Sequence, residues 1–315
     1  VAGSITPNIG GSITAVSDNR PRGIRAVADA KAYELRTIAR AEAQSEVESH
    51  RIRSEAIEER ITNIARENPK LAERARQRLL VREIEGQLNV EQIADQAAAA
   101  LPLAVSEEPI GNDWRRKFFQ EAENVCDVDM QMLWGKVLAG EIARPGSFGL
   151  RTLETLKQLS RYEAELFRKI CGLAMDDGWV ALPGFDVNTD LKPFGFGFDQ
   201  ILELRDAGLI LHGDGIHKSF ADSTRSEEAD KQSVKLTNNG IQICLSGTAL
   251  QHTHLPALIF TQAGRELQRL VVPAPNAGYL ASLGRAIRSR GLSAKRASNL
   301  PQSEQVSLVV YDEDL

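Results

Sequence analysis

The sequence predicts a mainly α protein with a smaller α+β part: a long N-terminal helical arm, a helical bundle, and a winged-helix-like C-terminal portion. Three observations lead there. After Gly23 and up to Glu67 there is no Pro and no further Gly, while Ala, Arg and Glu dominate. From Trp114 to Phe167 successive helical patterns follow one another, each with its own start and stop signal. Beyond the turn Asp176-Asp177-Gly178 the pattern changes to short apolar runs between turns and short helices.

Residues 1–22 are rich in Gly, Ser, Thr and Pro and read as a disordered arm. Residues 23–103 read as a helical, coiled-coil-like arm. Leu35 and Ile38, then Ile57, Ile61 and Ile64, recur at helical spacing. The helix before Asn68-Pro69 alone would span ~60 Å or more at 1.5 Å per residue. It is too polar to be buried on all sides. A second helix is expected from Pro69 to about Gly86. A third, capped by Asn89, is expected to end at Pro102. Residues 104–111 read as a linker and the main domain boundary.

The bundle covers 112–175. Asn112 or Asp113 is expected to cap a helix running through Asn124. Asp127 caps the next, from Val128 to about Ala143, which Pro145-Gly146 stops. Ser147 starts a third. Ser160-x-x-Glu163 is a capping box that opens a fourth, to about Met175. Phe118, Ala122 and Val125, and Met130, Leu133, Trp134, Val137 and Leu138, recur at helical spacing and are expected in the core.

In 176–300, Trp179–Leu182 reads as a strand and 193–197 as a loop. Phe198–Ala207 reads as a helix ended by Gly208, with a strand at Leu209–His212. This helix–Gly–strand junction is of the kind winged-helix domains use. The polar stretch 213–232 reads as a loop or wing. Strands at Val234–Leu236 and Leu258–Phe260 each run into Thr-x-x-Gly, at Thr237 to Gly240 and Thr261 to Gly264. With only a few matching positions, the two read either as a small repeat of strand–turn–helix units or as a chance match of a short motif. Helices are expected over 264–271 and 279–290, and an edge strand over 306–311. An acidic tail, 301–315, carries Glu304, Asp312, Glu313 and Asp314 and no cation.

The net charge of −5 gives no overall reason to expect a polyanionic partner. One segment departs from that balance: between 262 and 300 lie seven cations and a single anion, Glu266. Arg285, Arg288, Arg290, Lys295 and Arg296 are therefore the candidate nucleic-acid contacts, since phosphates are met by Arg and Lys. The plainer reading is a solvated basic face neutralised by the acidic tail. Cys126, Cys171 and Cys244 are far apart and lack CxxC spacing, which argues for a reducing compartment and against a zinc framework. With no charged leader before an apolar core and no run of ~18 apolar residues, the expected location is the cytoplasm, with no membrane span. GxSxG and HExxH are absent, and Phe194-Gly-Phe-Gly-Phe198 lacks the spacing of a phosphate loop. His252-x-His254 has no acidic or Cys neighbour at ligand spacing. No catalytic, cofactor-binding or metal-binding residue is assigned, no cofactor is expected, and enzymatic activity has no support.

One set of residues carries a family resemblance. It comprises Trp114, Phe118, Ala122–Val125, Met130-Gln131, the block Leu133–Glu141, Pro145–Phe148, Leu150–Leu153 and Leu159-Ser160. On these the chain resembles the bacterial domain-of-unknown-function family 2806, and Ala28–Leu35 resembles that family's long N-terminal helix. The same phrase, with its LxxLS ending at Ser160, is similar to the abortive-infection alpha family of phage-defence proteins. The resemblance implies a bacterial, cytosolic accessory protein and brings no catalytic residue. The expected function is a non-enzymatic interaction or regulatory protein in phage defence. It would self-associate, or dock on a protein, through Leu35, Ile38, Ile57, Ile61 and Ile64. The alternative is a DNA-binding regulator using the basic C-terminal portion.

Overall fold

The computed structural model describes residues 30–31, 33, 37, 55–184, 186–213, 215–220, 224–225, 232–271, 273–298 and 310–314. The expected disordered arm over 1–22 lies outside them, as do Leu35 and Ile38.

A helical segment over 55–67 ends at Asn68, whose amide donates to the Ile64 carbonyl at 2.7 Å. The Asn68 side chain accepts from the Leu71 amide, so the same residue caps the next helix, α1 (Pro69–Ala100). Pro69 sits in the first turn, where no N–H is needed. The two helices fold back on one another. Arg76 and Glu58 form an ion pair at 3.4 Å, and Ile61 and Ala72 are both buried. In one straight helix those two charges would stand about 27 Å apart.

α1 runs unbroken through Gly86 and Asn89, where two helices were expected. Gly in a helix interior costs about 1 kcal/mol. Here Gly86 is buried, and a Cβ in its place would meet the Glu123 side chain at 3.4 Å. Asn89 caps nothing. Its amide donates to the Glu123 carbonyl at 2.8 Å and accepts from Gln131 at 3.0 Å. Tertiary partners hold both positions inside the helix.

α2 (Asn112–Ala122) begins at Gly111 with no side-chain cap, so neither Asn112 nor Asp113 plays that part. Asp127 caps α3 (Val128–Ala143) by accepting from the Asp129 and Met130 amides. α4 starts at Leu150, three residues later than expected (Leu150–Gln158). The Ser160–Glu163 capping box opens α5 (Arg161–Cys171).

The remaining elements are β1 (Trp179–Ala181), α6 (Val187–Asp190), a 3-10 turn at Lys192–Phe194, α7 (Phe198–Asp206), β2 (His217–Ser219) and β3 (Thr224–Arg225). Then come β4 (Gln232–Asn238), β5 (Ile241–Gly247), β6 (His254–Ile259), α8 (Gln262–Gln268), α9 (Ala277–Arg288), β7 (Ser293–Ser298) and β8 (Val310–Asp314). They form two antiparallel sheets, in the orders β1-β6-β2 and β3-β4-β5-β7-β8. Gly208, at φ 72°, ends α7, and the chain then joins the first sheet: Ile210 bridges Phe260, and the Leu211 amide donates to the Ile259 carbonyl at 2.8 Å.

The expected repeat is not one. β4 and β5 are joined by Asn239 and Gly240, both at positive φ (48° and 83°), a two-residue hairpin turn with no helix after it. Thr261 does act as a helix cap. Its hydroxyl accepts from the Gly264 amide at 3.0 Å and donates to the Gly208 carbonyl at 2.6 Å.

A continuous apolar core runs from Val90 to Ala294. Val90, Ile93, Ala94 and Ala97 of α1 share it with Trp134, Val137 and Leu138 of α3, so the second half of α1 is packed into the bundle. Phe118 and Trp134 are fully buried in it, with ring centroids 5.2 Å apart.

Candidate functional site

The basic residues fall into two groups. Arg285 and Arg288 are exposed on the last turn of α9, and Lys295 and Arg296 are exposed on β7, which follows after a short turn at Gly291. Arg290 differs: it is half-buried and donates to the Ala286 and Pro183 carbonyls, both at 2.8 Å, tying the end of α9 to the segment after β1. The register of β7 with β8 sets Lys295 opposite Asp314 and Arg296 opposite Glu313. Opposed positions in an antiparallel pair are neighbours. The acidic residues of β8 therefore lie alongside two of the five basic residues.

The arm residues also divide. Ile61 is 5% exposed, whereas Ile57 and Ile64 are 41% and 39% exposed. The exposed pair borders the fold-back of 55–67 on α1.

A third surface was not foreseen. α7 buries Ile201 and Leu204 and turns Phe198 and Leu202 outward, 57% and 41% exposed. Asp199 and Asp206 are exposed beside them. The single cation of α7, Arg205, donates to the Gly213 carbonyl at 3.2 Å. A hydrogen bond to Glu203 raises the Tyr162 hydroxyl above its ordinary pKa and joins α5 to α7. The signal in the sequence was the i, i+4 pair Phe198/Leu202 among carboxylates, on a helix whose other face is apolar.

Between 55–67, α1 and α2 lies an open cavity of about 840 Å³. Arg82, Arg116 and Lys157 line it with Glu83, Glu121 and Glu123, so its charge is balanced. Glu121 is its best-defined group. It is 6% exposed and accepts from Lys117 at 2.9 Å and Lys157 at 3.0 Å, while Lys117 also reaches Glu154 at 2.7 Å. Burial opposes its ionisation, but the two lysine hydrogen bonds outweigh burial and hold its pKa below the ordinary carboxylate value. Bonds to Glu154 and Glu121 raise Lys117 to about 12. This is a locked ion network, fixing α2 to α4.

The residues that carry the family resemblance have structural work. Glu141, 2% exposed, accepts from the Gly146 amide at 2.7 Å and the Phe148 amide at 2.9 Å, shaping the Pro145–Phe148 turn. A Cβ at Gly135 would lie 2.6 Å from the Gln96 Cβ, so α1 and α3 approach there because the residue is Gly. Burial pushes the Cys171 thiol up, away from nucleophilic use. Among the described residues no group of three or more His, Cys, Asp or Glu is placed to hold a metal, and no helix is long and apolar enough to cross a membrane.

No curated protein and no solved structure matches the chain. The family model described as a protein of unknown function, DUF2806, matches residues 73–284, more than half of the sequence, and the chain belongs to that family.

Proposed function

We propose that this chain is a non-enzymatic interaction protein whose winged-helix-like C-terminal portion binds another protein. The order α5, β1, α6, α7, the 209–211 strand and β6, with β6 bonded to both other strands, supports a winged-helix reading. In that arrangement α7 holds the position of the helix that enters the DNA major groove.

The character of α7 is the observation that carries the proposal. A groove-reading helix needs cations toward phosphates and donors toward bases. α7 offers Phe198 and Leu202 among Asp199, Glu203 and Asp206, and its one Arg is held by a backbone carbonyl. Such a surface repels DNA and suits a protein with apolar and basic groups. The resemblance read in the helical phrase over Trp114–Phe167, with its LxxLS ending at Ser160, to the abortive-infection alpha family is the reason phage defence is proposed as the setting.

A photo-crosslinking residue at position 202 of the full chain, irradiated in cells, tests this. The expected product is a discrete protein adduct. A nucleic-acid adduct, or salt-steep duplex DNA binding that Arg288→Glu abolishes, would favour the DNA-binding regulator instead.

A further inference from the structure

The two halves of α1 carry opposite charge. From Lys70 to Arg82 there are five cations and one anion, Glu73; from Glu83 to Asp95 there are four anions and no cation. Across the junction Leu80, Val81, Ile84 and Leu88 are 63%, 52%, 52% and 53% exposed. The opposite side of the helix buries Ala72, Val90, Ile93, Ala94 and Ala97. α1 thus has a second apolar face, turned away from the core.

We propose that two copies of the chain pair antiparallel through this outer face. Positions 70, 74, 77, 81, 84, 88, 91 and 95 step by four and three, the seam spacing of a two-stranded coiled coil. The seam is about 38 Å long at 1.5 Å per residue, close to four heptads. A two-fold axis between 82 and 83 sets Val81 against the partner's Ile84 and Gln77 against the partner's Leu88. Further out it sets Arg74 against the partner's Glu91 and Lys70 against the partner's Asp95. Beside the seam, Arg78 comes near the partner's Glu85. Each contact occurs twice, as an isologous interface requires.

The charges also choose the direction. Parallel pairing in register would stack Lys70, Arg74, Glu91 and Asp95 each on its own copy, four like-charge layers. Antiparallel pairing turns all of them into opposite-charge layers.

Sedimentation of the full chain tests the proposal. Wild type is expected to dimerise at micromolar concentration, with a melt that rises with concentration, and Val81→Lys/Ile84→Lys to be monomeric yet folded, with a cooperative melt that does not depend on concentration, since both positions are exposed in the single chain. Lys70→Glu/Arg74→Glu and Glu91→Lys/Asp95→Lys should each weaken self-association more than tenfold. Mixed in equal amounts, the two charge variants should recover the wild-type affinity, because every reversed layer then meets its complement. A monomeric wild type overturns the proposal. So does a Val81→Lys/Ile84→Lys variant that stays dimeric, or a mixture that shows no recovery. Position-202 crosslinking reads a different surface, so either reading can fail without the other.

Discussion

Glu266 of α8 caps α4 across 117 residues of sequence: its Oε2 accepts from the Gly149 amide at 2.8 Å. The same oxygen accepts from the Thr152 hydroxyl, and Oε1 accepts from Gln262 at 2.8 Å. An anion at a helix start also meets the positive end of the helix dipole. The carboxylate joins the bundle to the C-terminal portion.

Glu266→Ala is expected to lower stability by about 2–3 kcal/mol. Removing the acceptor leaves a half-buried amide and a buried hydroxyl without that partner, each at a cost of about 1–3 kcal/mol less what water or relaxation restores. Urea denaturation of both proteins checks this. An unchanged midpoint would mean that the cap contributes nothing.

Glu121 makes stability depend on acid. Its folded pKa lies below the ordinary 4.5. A depressed carboxylate pKa contributes stability that is complete above the unfolded value and is lost as pH falls through the folded value. Wild type should therefore weaken steadily below pH 4.5, and Glu121→Gln, although less stable at pH 7, should weaken less over the same interval. Melting temperatures of the two proteins between pH 7 and the acid limit decide it. Parallel curves would remove Glu121 as the source. On the alkaline side Lys117 is raised from 10.5 to about 12, so its contribution is complete below pH 10.5 and is lost as pH rises from there through about 12.

What was legible in the sequence was local. Asp127 and the Ser160–Glu163 box announce their helices within three residues, and Gly208 ends α7 in the left-handed conformation its lack of a Cβ permits. What was missed depends on partners distant in the chain. Gly86 and Asn89 looked like a helix break because Glu123 and Gln131, which hold them in α1, are 34 or more residues away. The start of α4 was set at Ser147 because its cap, Glu266, is remote. Asn239-Gly240 is different: the pair is itself a local hairpin signal, hidden by the resemblance of Thr237 and Gly240 to the later helix start. The site followed the same division. The basic run was visible as composition, but the return of β8 beside β7 and the use of Arg290 by Pro183 needed the fold.

Trp134→Ala should cost about 3–5 kcal/mol, the range for removing a large aromatic from a packed core. The side chain is 1% exposed and packs on Phe118, which in turn stacks on Trp114 at 5.0 Å. Loss of cooperativity in the near-ultraviolet circular dichroism melt should accompany the shift. A wild-type melting curve would contradict a central role for this ring.

Arg290 and Arg285 separate a structural cation from a surface one. Arg290 donates to two backbone carbonyls, one of them 107 residues away at Pro183, and its removal leaves the half-buried Ala286 and the buried Pro183 without that donor. Hydrogen bonds from charged donors contribute about 1.5–3 kcal/mol, so Arg290→Ala should lower the denaturation midpoint measurably. Arg285 is exposed and, among the described residues, donates to Ser282, on its own helix, at 3.0 Å. Arg285→Ala should stay within about 0.5 kcal/mol of wild type. Parallel denaturation of the two variants checks the difference. Equal losses would show that the basic segment acts as one unit, and the separation of Arg290 from the exposed cations would then fail.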